Sequence, residues 1–267
     1  MFDLSTVHEG LRLLHIGAGF LGLATFWIPA IAKKGSMLHM RCGSLFVLCS
    51  YIVGVSAFVS GVWGVADPVG FLRVQGVPDA AAVRNAGNVR FLFFILTYLS
   101  TAILSGVQMG VRVLRTKNHP EKLDAPRLRY VIHLGGLTAL LLAVFGVAKT
   151  LTAVFGSRYV ICIVLGLLGV VDWRENLNFL RNPRPSPRAW WYKHMESMLG
   201  CGIGFHTAFL VFGLSRLMPS AALPGAWALL PWILPTLIGI PVMQKWIRYY
   251  KRKFGELESN PKTTVHA

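Results

Sequence analysis

Charge is what this sequence has least of. Only 14% of its 267 residues are charged and only 11 are acidic, where an ordinary soluble domain carries about 25% charged residues. So little charge excludes an intrinsically disordered chain and an ordinary water-soluble enzyme. Cysteine is also scarce. The four present, Cys42, Cys49, Cys162 and Cys201, stand singly in apolar runs with no C-x-x-C spacing, which excludes a disulfide framework and leaves them as small packing residues. No Ser/His/Asp pattern and no G-x-S-x-G is present, so no soluble-type hydrolase is indicated. A basic n-region is missing as well: Asp3 and Glu9 precede the first apolar run with only Arg12 nearby. The first helix is therefore expected to be an uncleaved anchor and not a cleavable signal.

What the sequence has in abundance is apolar surface. Hydrophobic residues make up 54% of it, with a mean hydropathy of +0.54. A helix needs roughly 20 mainly apolar residues to cross a bilayer. Seven stretches meet this, at 11–32, 42–65, 91–113, 130–148, 151–171, 195–217 and 226–247. Arg158 interrupts the fifth, and an alternative runs the fourth helix on to Phe155 and starts the fifth at Tyr159. The expected fold is an all-α bundle of seven transmembrane helices over 1–250, followed by a basic cytoplasmic tail at 251–267.

The net charge of +16 would point to nucleic acid in a soluble protein. Here it sorts by side. Lys33, Lys34 and Arg41, six basic residues from Arg112 to Arg129, five from Arg174 to Lys193 and six from Lys245 to Lys262 make 20 of the 27. The intervening segments hold the other seven. The positive-inside rule puts the richer set in the cytoplasm. The amino terminus is then outside and the carboxyl terminus inside, which an odd number of spans requires. The expected setting is the bacterial inner membrane, with the lipid bilayer as partner and no nucleic acid.

Ionisable side chains inside a membrane are costly and read by default as functional. Five histidines qualify. The topology sorts them into an outer layer, His15 and His206, and a cytoplasmic layer, His39, His133 and His194. Four of them have glycine on their own helical face: Gly19 and Gly22 beside His15, Gly43 beside His39, Gly136 beside His133, Gly202 and Gly213 beside His206. Glycine beside histidine leaves room for a flat group such as a porphyrin, and histidine is a usual axial ligand of haem iron. The cytoplasmic three also suit a transition metal such as zinc, which accepts three imidazoles with an open position. Glycine is common in membrane helices, however, and a buried histidine also serves to bond a neighbouring helix.

A second polar group lies at the expected cytoplasmic edge: Asp172, Arg174 and Glu175 at the end of the fifth span, and Glu196 just beyond His194. A carboxylate there would orient an imidazole or enter an ordinary ion pair. By contrast, Gly17-Ala18-Gly19-Phe20-Leu21-Gly22 matches G-x-G-x-x-G only formally. It lies inside an apolar helix with no acid about 20 residues on, so close helix packing accounts for it better than phosphate binding.

The run Leu14-His15-Ile16 with Gly19, then Lys33-Lys34-Gly35 and His39-Met40-Arg41-Cys42-Gly43, resembles the opening helix pair of the domain of unknown function 2306 family. Trp190, His194, Met195 and Met198 resemble that family's second histidine segment. A basic residue often follows the histidine there, whereas Met40 and Met195 follow it here. The resemblance touches about half the chain. It implies a multi-pass inner-membrane protein with His15, His39 and His194 at matching positions, and it supplies no activity.

Three functions remain open on the sequence. In the first, the histidines hold b-type haem or a metal and pass electrons, with quinone or partner membrane subunits. The second is a proton-coupled transporter using the histidines and Asp172, with the last helix broken near Pro235, Gly239 and Pro241. The third is a non-catalytic membrane subunit of a larger complex.

Overall fold

The structure is a computed structural model, and it describes residues 4–152, 159–214 and 229–257. These residues are helical and contain no strand. The long helices are α1 (Leu4–Ile31), α2 (Met37–Ala66), α4 (Asp79–Arg115), α5 (Pro126–Thr152), α6 (Val160–Arg181), α7 (Ala189–Ala208) and α8 (Leu230–Lys253); α3 (Pro68–Val74) is one short segment between α2 and α4. Five of them are long and apolar enough to cross a membrane: α1, α2, α4, α5, and α7 taken through Gly213. α6 carries Asp172, Arg174 and Glu175 in its second half, and α8 holds Pro235 and Pro241 within it and ends on Lys251-Arg252-Lys253. Many large apolar side chains stay uncovered, among them Ile31, Leu137, Val144, Leu151 and Leu237. Water would not tolerate such a surface, and lipid does.

The boundaries have local causes. Gly35 takes a positive φ of 78° in the turn after α1, a conformation that costs glycine nothing. Ser36 then caps α2, its side chain accepting from the His39 amide, as N-cap serines do. Asp67 caps α3 by accepting from the Gly70 amide at 2.9 Å, with Pro68 at the first helical position. That Asp-Pro pair is a helix start signal, and α3 was not among the expected elements.

The break between the fourth and fifth spans needs correction. α5 continues to Thr152 and α6 begins at Val160, and residues 153–158 lie outside the described residues. The reading that started the fifth span at Tyr159 is the one this geometry matches. Arg158 lies outside the described residues. α4 also begins 12 residues before the expected 91, at Asp79.

α4 is the hub and packs against α2, α3, α5 and α7. Two apolar clusters flank it. One joins α1, α2, α4 and α7 through Phe26, Phe46, Cys49, Ile103 and Phe205. The other joins α4, α5 and α6 through Ile95, Tyr98, Leu142, Cys162 and Leu165. At the far end of α7, Trp191 meets Tyr250 and Phe254, and Arg188 bonds Glu256 at 2.9 Å, which ties α7 to the end of α8.

Candidate functional site

The histidines do not form one site. His15 on α1 is half-buried, and its Nδ1 lies 2.8 Å from the Ser56 hydroxyl of α2. His39 at the start of α2 reaches back with Nδ1 to the Pro29 carbonyl, 3.0 Å away. That carbonyl and its neighbour also accept from Lys34, at 2.8 and 2.6 Å. The last carbonyls of a helix have no partner within it. Lys34 and His39 together therefore close the end of α1. His194 donates from Nδ1 to the Gly110 carbonyl at 2.8 Å, clasping α7 to α4. His206 donates to Gly202 one turn back at 2.7 Å and sits edge-on to Phe26 and Trp27. His133 is exposed, with its ring edge against Trp173.

Two expectations about these residues fail on geometry. His15 and His206 do not share a layer. His206 lies beside Phe26 and Trp27, and its neighbour Phe205 packs into Gly22, which is seven residues, or roughly 10 Å, along α1 from His15. The glycine notches are mostly not vacant either. A side chain at Gly22 would strike the Phe205 ring, one at Gly202 the Phe26 ring, one at Gly136 the Trp173 ring, and one at Gly213 the Phe209 ring. Aromatic side chains occupy the space that a porphyrin would need at those positions. Gly19 has no neighbour there and Gly43 only Pro29 at 3.9 Å. Among the described residues no three of His, Cys, Asp and Glu converge as a metal centre would require, so His39, His133 and His194 do not assemble into one.

The structure gathers a different set. A cavity of about 150 Å³ lies between α4, α5, α6 and α7. Asp172, Asn176, Trp173, Glu196, Ser197, Tyr98 and Ser105 contribute to its lining. Leu99, Ile103 and Gly204 line its apolar part. Two of the expected polar residues, Asp172 and Glu196, thus share one chamber. The other two, Arg174 and Glu175, are exposed and do not line it.

Asp172 is itself exposed, and it lies near the level of the middles of α4 and α5. Gly169, one turn before it, packs on Tyr98 and Ala139, which stand near the middle of α4 and α5. Three residues on, Asp172 is about 4.5 Å from that level. Its Oδ2 accepts from the Asn176 amide at 2.8 Å, and no cation forms an ion pair with it among the described residues. The nearby Lys193, 5% exposed, gives its ammonium to Glu196 at 3.2 Å.

Three more residues went unnoticed in the sequence. Tyr98, Ser105 and Ser197 are 6%, 3% and 9% exposed. Among the described residues none of their hydroxyls has a protein partner, and all three residues line the cavity. Nearby Thr101 and Thr138, by contrast, bond each other across α4 and α5 at 2.7 Å. A single hydroxyl in an apolar helix carries no periodic signal, so only the packing reveals this set. A comparison of the chain with family profiles, with curated proteins and with solved structures finds no match.

Proposed function

We propose that the protein is a proton-linked carrier of the bacterial inner membrane. In this reading α6 and α8 also cross the bilayer, the amino terminus faces outward, and the carboxyl terminus lies in the cytoplasm. The positive-inside distribution supports that orientation. The kinship with the domain of unknown function 2306 family belongs to the same proposal and rests on the motifs around His15, His39 and His194.

One observation carries the function: Asp172, an exposed carboxylate with no ion-pair partner among the described residues, lines an open, mainly apolar cavity together with Glu196, Asn176 and three hydroxyl residues. Acids in such positions mark proton and solute pathways. Asp172 takes up and releases the proton. Lys193 and Glu196 from α7 and Glu175 of its own helix set the field around it, and Tyr98 and Cys201 in turn feel its charge. The chamber runs from Glu196 and Asn176 to Ile103 and Gly204, from the cytoplasmic half of the bundle to its middle. The π-helical turn at Phe209–Gly213 continues α7 beyond it. Such turns recur at functional sites because they loosen the helical ladder.

The test is a pH jump applied to reconstituted protein on a solid-supported membrane. Wild type is expected to give a transient charge movement, and Asp172→Asn to abolish it. Equal currents from both would refute the reading.

A second reading, haem or metal with a redox role, has one observation in its favour. His39 and His194 spend Nδ1–H on backbone carbonyls, the tautomer that a metal-ligating imidazole adopts. A reduced-minus-oxidised visible spectrum and metal analysis of the purified protein decide it. A Soret band lost in His39→Ala would favour it, and a colourless, metal-free preparation from a haem-supplemented host would end it.

A further inference from the structure

The chemistry of the cavity narrows what it accepts. Buried hydroxyls in native proteins almost always have a partner, and leaving one unpaired costs about 1–3 kcal/mol. Tyr98, Ser105 and Ser197 are buried residues that line a single cavity, and their hydroxyls, which have no partner among the described residues, are open to it and not sealed off. The Tyr98 hydroxyl lies where any side chain at Gly169 would stand, one turn from Asp172. These hydroxyls exist to meet something that enters.

The charge balance says what kind of thing. Glu196 is neutralised by Lys193. Asp172 has only the neutral Asn176 amide. The lining therefore carries one uncompensated negative charge, which a single positive charge balances. Among the described residues no set of three ligands suits a metal ion. The opposite part of the cavity is apolar, formed by Leu99, Ala102 and Ile103 beside Gly204. An alkali cation has no use for that end. A cavity of about 150 Å³ holds several waters or one molecule about as large as benzene.

We propose that the cavity between α4, α5, α6 and α7 binds a short-chain primary alkylammonium ion, its ammonium on Asp172 and the Ser197 and Tyr98 hydroxyls and its alkyl chain against Leu99, Ile103 and Gly204. The three N–H donors of such a head match one carboxylate and two hydroxyl acceptors, and the chain fills the apolar end. This rests on the carrier reading of the same chamber and names its substrate class.

The experiment is equilibrium binding of radiolabelled n-butylammonium to the full chain in nanodiscs at pH 7. Wild type is expected to bind saturably, one per chain, without competition from n-butanol or butyrate. Losing a charge-assisted hydrogen bond costs about 1.5–3 kcal/mol, so Asp172→Asn is expected to weaken binding about 10–100-fold. Tyr98→Phe and Ser197→Ala each lose about 2–10-fold. Gly200→Leu keeps every charge and adds a bulky side chain to the lining from an exposed position with no neighbour within 4 Å. It should abolish binding, and so serves if Asp172→Asn does not fold. No saturable binding to wild type, binding unchanged in both Asp172→Asn and Gly200→Leu, or sodium binding in its place would overturn the proposal. pH-jump currents without butylammonium binding would sink this inference and leave the carrier reading standing. Binding without currents would do the reverse.

Discussion

The two flanks of α4 differ in where glycine leaves a cavity. On the α1–α2–α7 side, Gly22 and Gly202 are sockets for the rings of Phe205 and Phe26. Of the histidines there, His15 bonds α1 to Ser56 of α2, whereas His206 bonds within its own helix, to Gly202 one turn back. On the α5–α6–α7 side, Gly200 has no neighbour within 4 Å and Gly204 makes only ordinary contact with Ile103 at 3.4 Å. Space is left there, and carboxylates and hydroxyls line it. The division is partial, since Gly136, Gly166 and Gly169 on the α5–α6 side are packed as tightly and Gly19 on α1 is open. The cavity nevertheless lies on the α5–α6–α7 side, although the histidine-rich half draws the eye in the sequence.

Substitutions can break this comparison. The largest effect is expected from Gly200→Leu, which should abolish pH-jump currents while leaving the protein folded and monodisperse; surviving currents would mean that the cavity is not the pathway. Next comes a matched pair. Gly202→Ala forces a methyl group into the Phe26 ring and should destabilise by about 1–3 kcal/mol, the usual cost of overpacking. Gly200→Ala, a step of the same size into open space, should leave the melting temperature unchanged. Equal thermal shifts for the two would erase the distinction between the flanks.

Smaller still is His15→Ala, which removes one interhelical hydrogen bond. Such bonds in membrane proteins average about 0.6 kcal/mol, so the thermal shift should be slight and the currents should persist.

The smallest effect concerns the tie between α7 and α8. Burial works to raise the Glu256 carboxyl, but hydrogen bonds led by that from Arg188, together with the Arg188 charge, outweigh it and hold the group below the usual range. A lowered folded-state pKa stabilises above the unfolded pKa, and the benefit disappears as pH falls through the folded one. Arg188 is half exposed, so Glu256→Gln should cost at most about 0.5 kcal/mol at pH 7. The difference from wild type should vanish on acidification, as melting curves across that range would register.

Much of the fold was legible because apolar length is a strong signal. α1, α2, α5 and α7 each contain or closely overlap the expected apolar run. The failures have local reasons. The boundary between α5 and α6 fell in a mainly apolar stretch that hydropathy does not divide. α3 was announced by Asp67-Pro68, a start signal easily missed in a segment only 7 residues long. Of the site, Asp172 and Glu196 stood out because acids are rare here. Tyr98, Ser105 and Ser197 did not, since hydroxyls scattered in apolar helices converge only when the helices pack. His39 stood out for a different reason than its role: it finishes α1, and that depends on a turn bringing residue 39 back to residue 29.

The most direct measurement places Asp172→Asn and His206→Phe side by side on a solid-supported membrane and records the charge moved by a pH jump. The account predicts that Asp172→Asn abolishes the signal and that His206→Phe retains it near the wild-type level. Loss of the signal in His206→Phe with its retention in Asp172→Asn would contradict the account and return function to the histidine side of the bundle.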